Sequence, residues 1–185
     1  MEETKRPRRI VAGILLSAVL FLGGGLYWFQ PWKLWQDDSV HEALPATVPV
    51  PPGAPGTPPG APSPAPAEPK TVAEGTFISH EHTTTGTAKL IRLPDGSHTL
   101  RLEDLDTSNG PDLRVWITDA PVKDGVSGWR VFDDGKYVSL GKLKGNQGDQ
   151  NYAVPPSVNL TDYSSVAIWC DRFDVSFGAA ALTAV

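Results

Sequence analysis

No charged residue falls between Ile10 and Trp32 in this chain of 185 residues, and that run constrains everything after it. About 20 apolar residues, at 1.5 Å rise each, cover the roughly 30 Å hydrocarbon layer of a bilayer. Residues 1–9 precede it and carry Lys5, Arg6, Arg8 and Arg9. A cleaved secretory signal shares the basic start but has a shorter apolar centre and a small-residue cleavage site. Here the run ends in "LYWFQPWKLW", where Tyr27, Trp28, Trp32 and Trp35 suit the headgroup layer. The reading is an uncleaved single-pass anchor over residues 10–32. The basic tail stays cytoplasmic by the positive-inside rule, which puts the C-terminal part on the outer side.

Composition changes after Asp38. From Ala43 to Pro69 the chain holds eleven prolines and one charge, Glu68. Proline at that density removes backbone donors and fixes φ, so residues 33–70 are predicted to be a disordered Pro-rich stalk. At about 3.1 Å per residue it would reach on the order of 80 Å, lifting a domain off the membrane. Residues 71–185 then suffice for one core. From Gly75 onward fourteen Asp and Glu stand against ten Lys and Arg, with no basic stripe, so nucleic acid is excluded as a natural partner.

Strand patterns fill this part of the chain. "GTAKLIRL" and "SHTLRLEDL" alternate on either side of "PDG", a hairpin signal. "DLRVWIT", "KYVSLGKL", "QNYAVP", "SSVAIWC" and "FDVSFGAAAL" are short, β-branched or aromatic, and bounded by turn residues. The predicted fold class is all-β, an antiparallel β-sandwich or barrel-like domain behind one transmembrane helix.

The only cysteine, Cys170, sits at the turn end of the last predicted hairpin. Period-two geometry puts Val166, Ile168 and Cys170 on one face and Ala167 and Trp169 on the other. The apolar face favours a buried small hydrophobe, whereas the place beside a turn favours a site. A single cysteine excludes an internal disulfide and a four-thiolate cluster, and a blue-copper site lacks its histidines and methionine. A lone thiol, a mixed disulfide, axial ligation of a cofactor or an irregular metal site remain.

His80 and His82 lie two apart, the spacing for two metal ligands on one strand face; a solvated strand face is the plainer reading. Asp104, Asp106 and Asp112, with Ser108 and Asn109, are candidates for a hard-oxygen cation site. The glycine falls one position late for a helix-loop-helix calcium loop and no closing glutamate follows, so a structural turn competes. Hydrolase motifs are absent.

Three stretches together resemble the DM-thirteen domain, a family of extracellular modules associated with Skeletor-type and DOMON-containing proteins. They are "SNGPDL", "LGKLKGNQGDQNY" and "IWC" followed by "FDVSFG", within Gly75 to Leu182. The resemblance implies a β-rich domain with an electron-transfer or redox role through its cysteine, as a bare thiol or as ligand to a group such as haem. Carried onto this chain, the thiol is Cys170 and the loop-motif positions are Asn109, Gly110, Pro111, Asp112, Gly145, Gly148, Asp149, Gln150 and Tyr152. A reactive thiol needs nearby positive charge, and Arg172 is the candidate; enclosure by Trp169, Phe173 and Phe177 would make it inert instead. Two functions follow: a redox module serving a separate partner, or a non-catalytic envelope-binding module recognising glycan or protein through residues 109–112 and 145–152.

Overall fold

The structure is a computed structural model that describes residues 5–45 and 68–185. Helix α1 (Lys5–Phe29) contains a stretch, Ile10–Phe29, long and apolar enough to cross a membrane, with none of it buried against the rest of the chain. A helix satisfies its own backbone, the condition for lying in lipid. It stops where Gln30 turns left-handed at φ 44° ahead of Pro31. A short 3-10 turn, Pro31–Trp35, follows.

The chain then enters the sheet sooner than its composition suggests. Strand β1 (Ser39–His41) begins ten residues past Phe29, inside the segment expected to be a stalk. The strands after it are β2 (Lys70–Ser79), β3 (Thr85–Arg92), β4 (His98–Asp106), β5 (Leu113–Thr118), β6 (Tyr137–Lys142), β7 (Gln147–Val154), β8 (Ser165–Cys170), β9 (Val175–Ala181) and β10 (Thr183–Ala184). The expected proline-rich stalk falls for the most part on residues 46–67, which lie outside the described residues. In chain order that segment falls between β1 and β2, not between the apolar helix and the sheet.

The strands form one sheet in the order β1-β7-β4-β3-β2-β9-β8-β5-β6, with β10 beside β2. Neighbours are antiparallel except β1, which adds to β7 in parallel. The expected antiparallel sandwich or barrel is therefore corrected to a curled, mixed half-barrel with an apolar helix attached. The cause lies in β2. Its residues 70–76 pair with β3 and its residues 77–79 with β9, so the twist accumulated along one long strand turns the sheet upon itself.

Both predicted hairpins form. The turn before β4 has Gly96 at φ 86° and the Asp95 carboxylate accepting the Ser97 amide. In the last hairpin Cys170 pairs with Val175, and Asp174 takes φ 48° in the turn. Val166, Ile168 and Cys170 face the main core with Leu100, Leu102, Val115, Ile117 and Phe177. Ala167 and Trp169 face a second cluster with Trp116, Phe132 and Ala179, as the period-two reading requires. Burying two faces of one strand leaves all six residues of β8 buried.

Candidate functional site

Cys170 is wholly enclosed. It pairs with Leu113 on β5 and Val175 on β9, and no part of it is exposed. Burial pushes its thiol up, because a thiolate there would lose water. The backbone amides of Arg172, Phe173 and Asp112 offset part of that. Arg172 itself is spent elsewhere. Its guanidinium donates to the carbonyls of Tyr27 (3.3 Å) and Trp28 (2.7 Å) and lies 5.2 Å from the Trp28 ring centre. It satisfies carbonyls that the end of α1 leaves open, a favourable place for a cation. Next to it, Phe173 stacks on Phe29 at 5.6 Å. The hairpin that carries the thiol is thus the part of the sheet that meets the end of the apolar helix.

The two histidines do not converge. β2 ends at Ser79, so both lie in the bend beyond it and their rings part. His80 is buried, stacks on Phe132, donates from Nε2 to the Lys123 carbonyl (3.1 Å) and holds Nδ1 2.9 Å from Ser176 Oγ. Desolvation pulls its pKa below the ordinary histidine value. His82 packs its ring 4.0 Å from Phe177 and pairs with Glu81 at 2.6 Å. The acidic candidates disperse too. The Asp104 amide donates to Asp149, Asp106 accepts from Gln147, and Asp112 pairs with Arg114 and Lys142. Among the described residues no three His, Cys, Asp or Glu side chains gather as a metal site.

The loop-motif residues clasp the chain's own segment after the apolar helix. Gly145 and Gly148 leave room for it: a Cβ at Gly145 would lie 2.2 Å from the Asp38 carbonyl oxygen, and one at Gly148 (φ 93°) 2.1 Å from that of Val40. Asn109 donates to the Asp38 carboxylate (3.0 Å), and its Oδ1 accepts the Gly110 amide. Gln150 and Tyr152 bond to one another and both accept the Lys144 amide, which shapes the turn.

Of the other partners in the clasp, Lys144, Asn146 and Asn151 lie inside the glycine-rich motif without being among the positions singled out from it, and Glu42 and Arg101 lie outside every motif. Asn146 accepts the Asp38 amide (2.7 Å) and donates to Asp37 and the Thr107 carbonyl (both 2.8 Å). Glu42 accepts from Lys144 Nζ (2.7 Å) and the Asn151 amide (2.7 Å); the lysine hydrogen bond is the main reason its carboxyl sits below the ordinary range. Arg101, buried, donates to Glu103, Asp149, Asn151 and the Glu42 carbonyl. An arginine alternating in a strand reads as solvent-facing, so nothing in the sequence pattern marks this hub.

A cavity of about 560 Å³ opens where the helix end meets the sheet. Phe29, Pro31 and Leu34 form its helix side; Pro111, Trp129, Phe173, Val175 and Phe177 form the sheet side. Lys33, Glu81, His82 and Arg130 stand around it, and Lys33 Nζ donates to the Gly110 carbonyl (3.2 Å). The Trp129 backbone is fixed by the Ser176 amide, yet its indole N–H is buried with no hydrogen-bond partner among the described residues.

The family model described as electron transfer DM13 matches residues 76–182, more than half of the chain. The chain belongs to the DM13 electron-transfer family. No curated protein and no solved structure matches it. The DM13 match starts within β2, so the clasped segment 37–43 lies before it, while the residues that hold the segment lie inside it. Haem with Cys170 as axial ligand does not fit this DM13 domain. The sulfur faces packed side chains and lines neither this cavity nor a smaller one at Asn109 to Asn146. The lone thiol therefore has no open coordination space beside it.

Proposed function

We propose that the chain is a membrane-tethered electron-transfer module, anchored through residues 10–32 with the DM13 domain on the outer side and its N-terminus in the cytoplasm. The observation that carries this is the docking of the Cys170 hairpin on the end of the apolar helix, through Arg172 on Trp28 and Phe173 on Phe29. A redox module that serves a membrane-bound or envelope partner works at that boundary. Cys170 is the residue we assign to the step, as a sheltered thiol. When the hairpin opens, its thiolate attacks a disulfide of a separate partner, forming a mixed disulfide and releasing the partner's other sulfur as thiolate. The partner's released thiolate reverses the step by attacking the mixed disulfide, which re-forms the partner's disulfide and expels Cys170 as thiolate. Burial keeps the thiol from unspecific oxidants until the hairpin moves.

The envelope-binding reading draws less support, because residues 109–112 and 145–152 are engaged with the chain's own segment 36–43. The test is redox equilibration of the full chain in lipid nanodiscs with glutathione buffers, followed by acid quench and alkylation. A reversible, potential-dependent mixed disulfide at Cys170, absent from Cys170→Ser, is expected. A thiol that stays fully reduced across the whole range while the chain remains folded would refute the assignment.

A further inference from the structure

The groove that receives residues 37–43 is shaped without them. Arg101 keeps its bonds to Glu103 and Asp149, and Gln150 fixes the turn at Lys144 and Gly145, with no part played by the segment. Onto that frame the segment is read by its side chains. Asp37 accepts from Asn146, Asp38 from Asn109, and Glu42 from Lys144 and the Asn151 amide, while Ser39 donates to Gln147. No residue from Gln36 to Pro45 is buried, and only Val40 and Glu42 are half-buried. A strand held by polar bonds at an edge, with little apolar burial, lifts off without unfolding the sheet.

What ties this strand to one particular groove is the connection over residues 44–69, with its eleven prolines. β1 lies four strands from β2, about 19 Å at roughly 4.8 Å per step. The pairing directions bring the end of β1 and the start of β2 to the same end of the sheet, so that distance is all the connection has to cover. A Pro-rich chain is semi-rigid and extended, on the order of 80 Å for this length, and a tether closes a contact best when its natural span matches the distance. The groove of a neighbouring domain of this size stands about 35 Å further off, nearer to that span. Every copy carries the same strand and the same groove, so exchange between copies keeps every bond and the tether decides the outcome.

We propose that two copies in one membrane exchange this strand, residues 37–43 of each lying on β7 of the other. The helix end travels with its strand, so the Arg172 and Phe173 contacts to Trp28 and Phe29 also run from one copy to the other. The partner is a second copy of this chain, and the product is an arm-exchanged dimer. Of the electron-transfer reading it needs only the anchor, which holds both strands at one height above the bilayer.

The test is a full chain carrying Ser39→Cys and Gln147→Cys, positions opposite one another in the β1–β7 register, expressed in membranes and oxidised there. Exchange gives a covalent dimer joined by two 39–147 disulfides, visible at twice the chain mass under non-reducing denaturation. Peptide mass spectrometry identifies those bonds and separates them from any bond to Cys170. Co-expression of two tag lengths should give mixed dimers. As a second variant, Glu42→Pro removes the carboxylate held by Lys144 and Asn151 and the amide donated to the Asp149 carbonyl. Light scattering in mild detergent should show wild type as a dimer and Glu42→Pro as a folded monomer. A monomer with an internal 39–147 bond as the main product, no 39–147 bond at all, a monomeric wild type, or a dimer that survives Glu42→Pro overturns the proposal. Carbonate extraction of the same membranes reports the anchor by itself, and no readout uses the Cys170 thiol, so this proposal and the redox assignment fail separately.

Discussion

Asn146→Ala tests whether the segment after the apolar helix is held to the sheet as described. The side chain is 1% exposed and makes three hydrogen bonds, two to Asp37 and Asp38 and one to the Thr107 carbonyl. A neutral bond contributes about 1 kcal/mol net and one to a charged group about 1.5–3 kcal/mol. Three together give roughly 3.5–5 kcal/mol, of which about 2 kcal/mol or more fastens residues 37–38. The Thr107 carbonyl, left buried without this donor, makes the loss greater than for an exposed asparagine. Hydrogen exchange of the full chain in nanodiscs separates the parts, because local opening reports its own free energy. A loss of about 2 kcal/mol should speed exchange across residues 37–43 roughly 30-fold, at 1.4 kcal/mol per factor of ten. Strands β8 and β9, which Asn146 does not touch, should slow or speed only with global stability. Unchanged exchange over residues 37–43, with or without a fall in global stability, would refute the clasp.

Gly148→Ala puts a Cβ against the Val40 carbonyl at a φ of 93° that side chains rarely adopt. Glutamyl endopeptidase should then cut at Glu42 in the variant while wild type is protected, and equal rates would count against the contact. Cys170 should react with Ellman's reagent at least about 100-fold more slowly in the native chain than after unfolding, since exposure requires opening the hairpin. Cys170→Ser should cost about 1–3 kcal/mol in denaturant melts for an unpaired hydroxyl in an apolar site, and a neutral result would mean the thiol is not enclosed. His80 has its pKa held below 6.5 by burial, so its contribution to stability is full above that value and is lost as pH falls through the folded-state pKa. Stability of wild type relative to His80→Gln should therefore fall on acidification below about pH 6.5, and parallel pH profiles would contradict it.

Local pattern was readable where the physics is local. The period-two alternation of "SVAIWC" assigns Cys170 to the core face and Trp169 to the other, and both lie there. The "PDG" turn and the apolar run likewise declare themselves within a few residues. The failures share one cause, which is dependence on distant chain. "SVH" becomes a strand because the edge of β7, more than 100 residues on, offers it a ladder. His80 and His82 part because β2 stops at Ser79, three residues short of carrying both on one strand face. Arg172 turns from Cys170 to the end of α1, where unsatisfied carbonyls attract a guanidinium more strongly than a buried neutral sulfur.

The sequence by itself determined the apolar helix, the β-rich domain, the two hairpins, and the family through motifs that fix turns and faces. These follow from side-chain periodicity and turn chemistry, which act over a few residues. Tertiary structure alone decided that the glycine-rich motif receives the segment after the helix, that the thiol is sealed, and that an aromatic cavity forms at the helix end. Each of those depends on which strands become neighbours once the long β2 turns the sheet upon itself, and strand neighbourhood is not encoded in any single window of the chain.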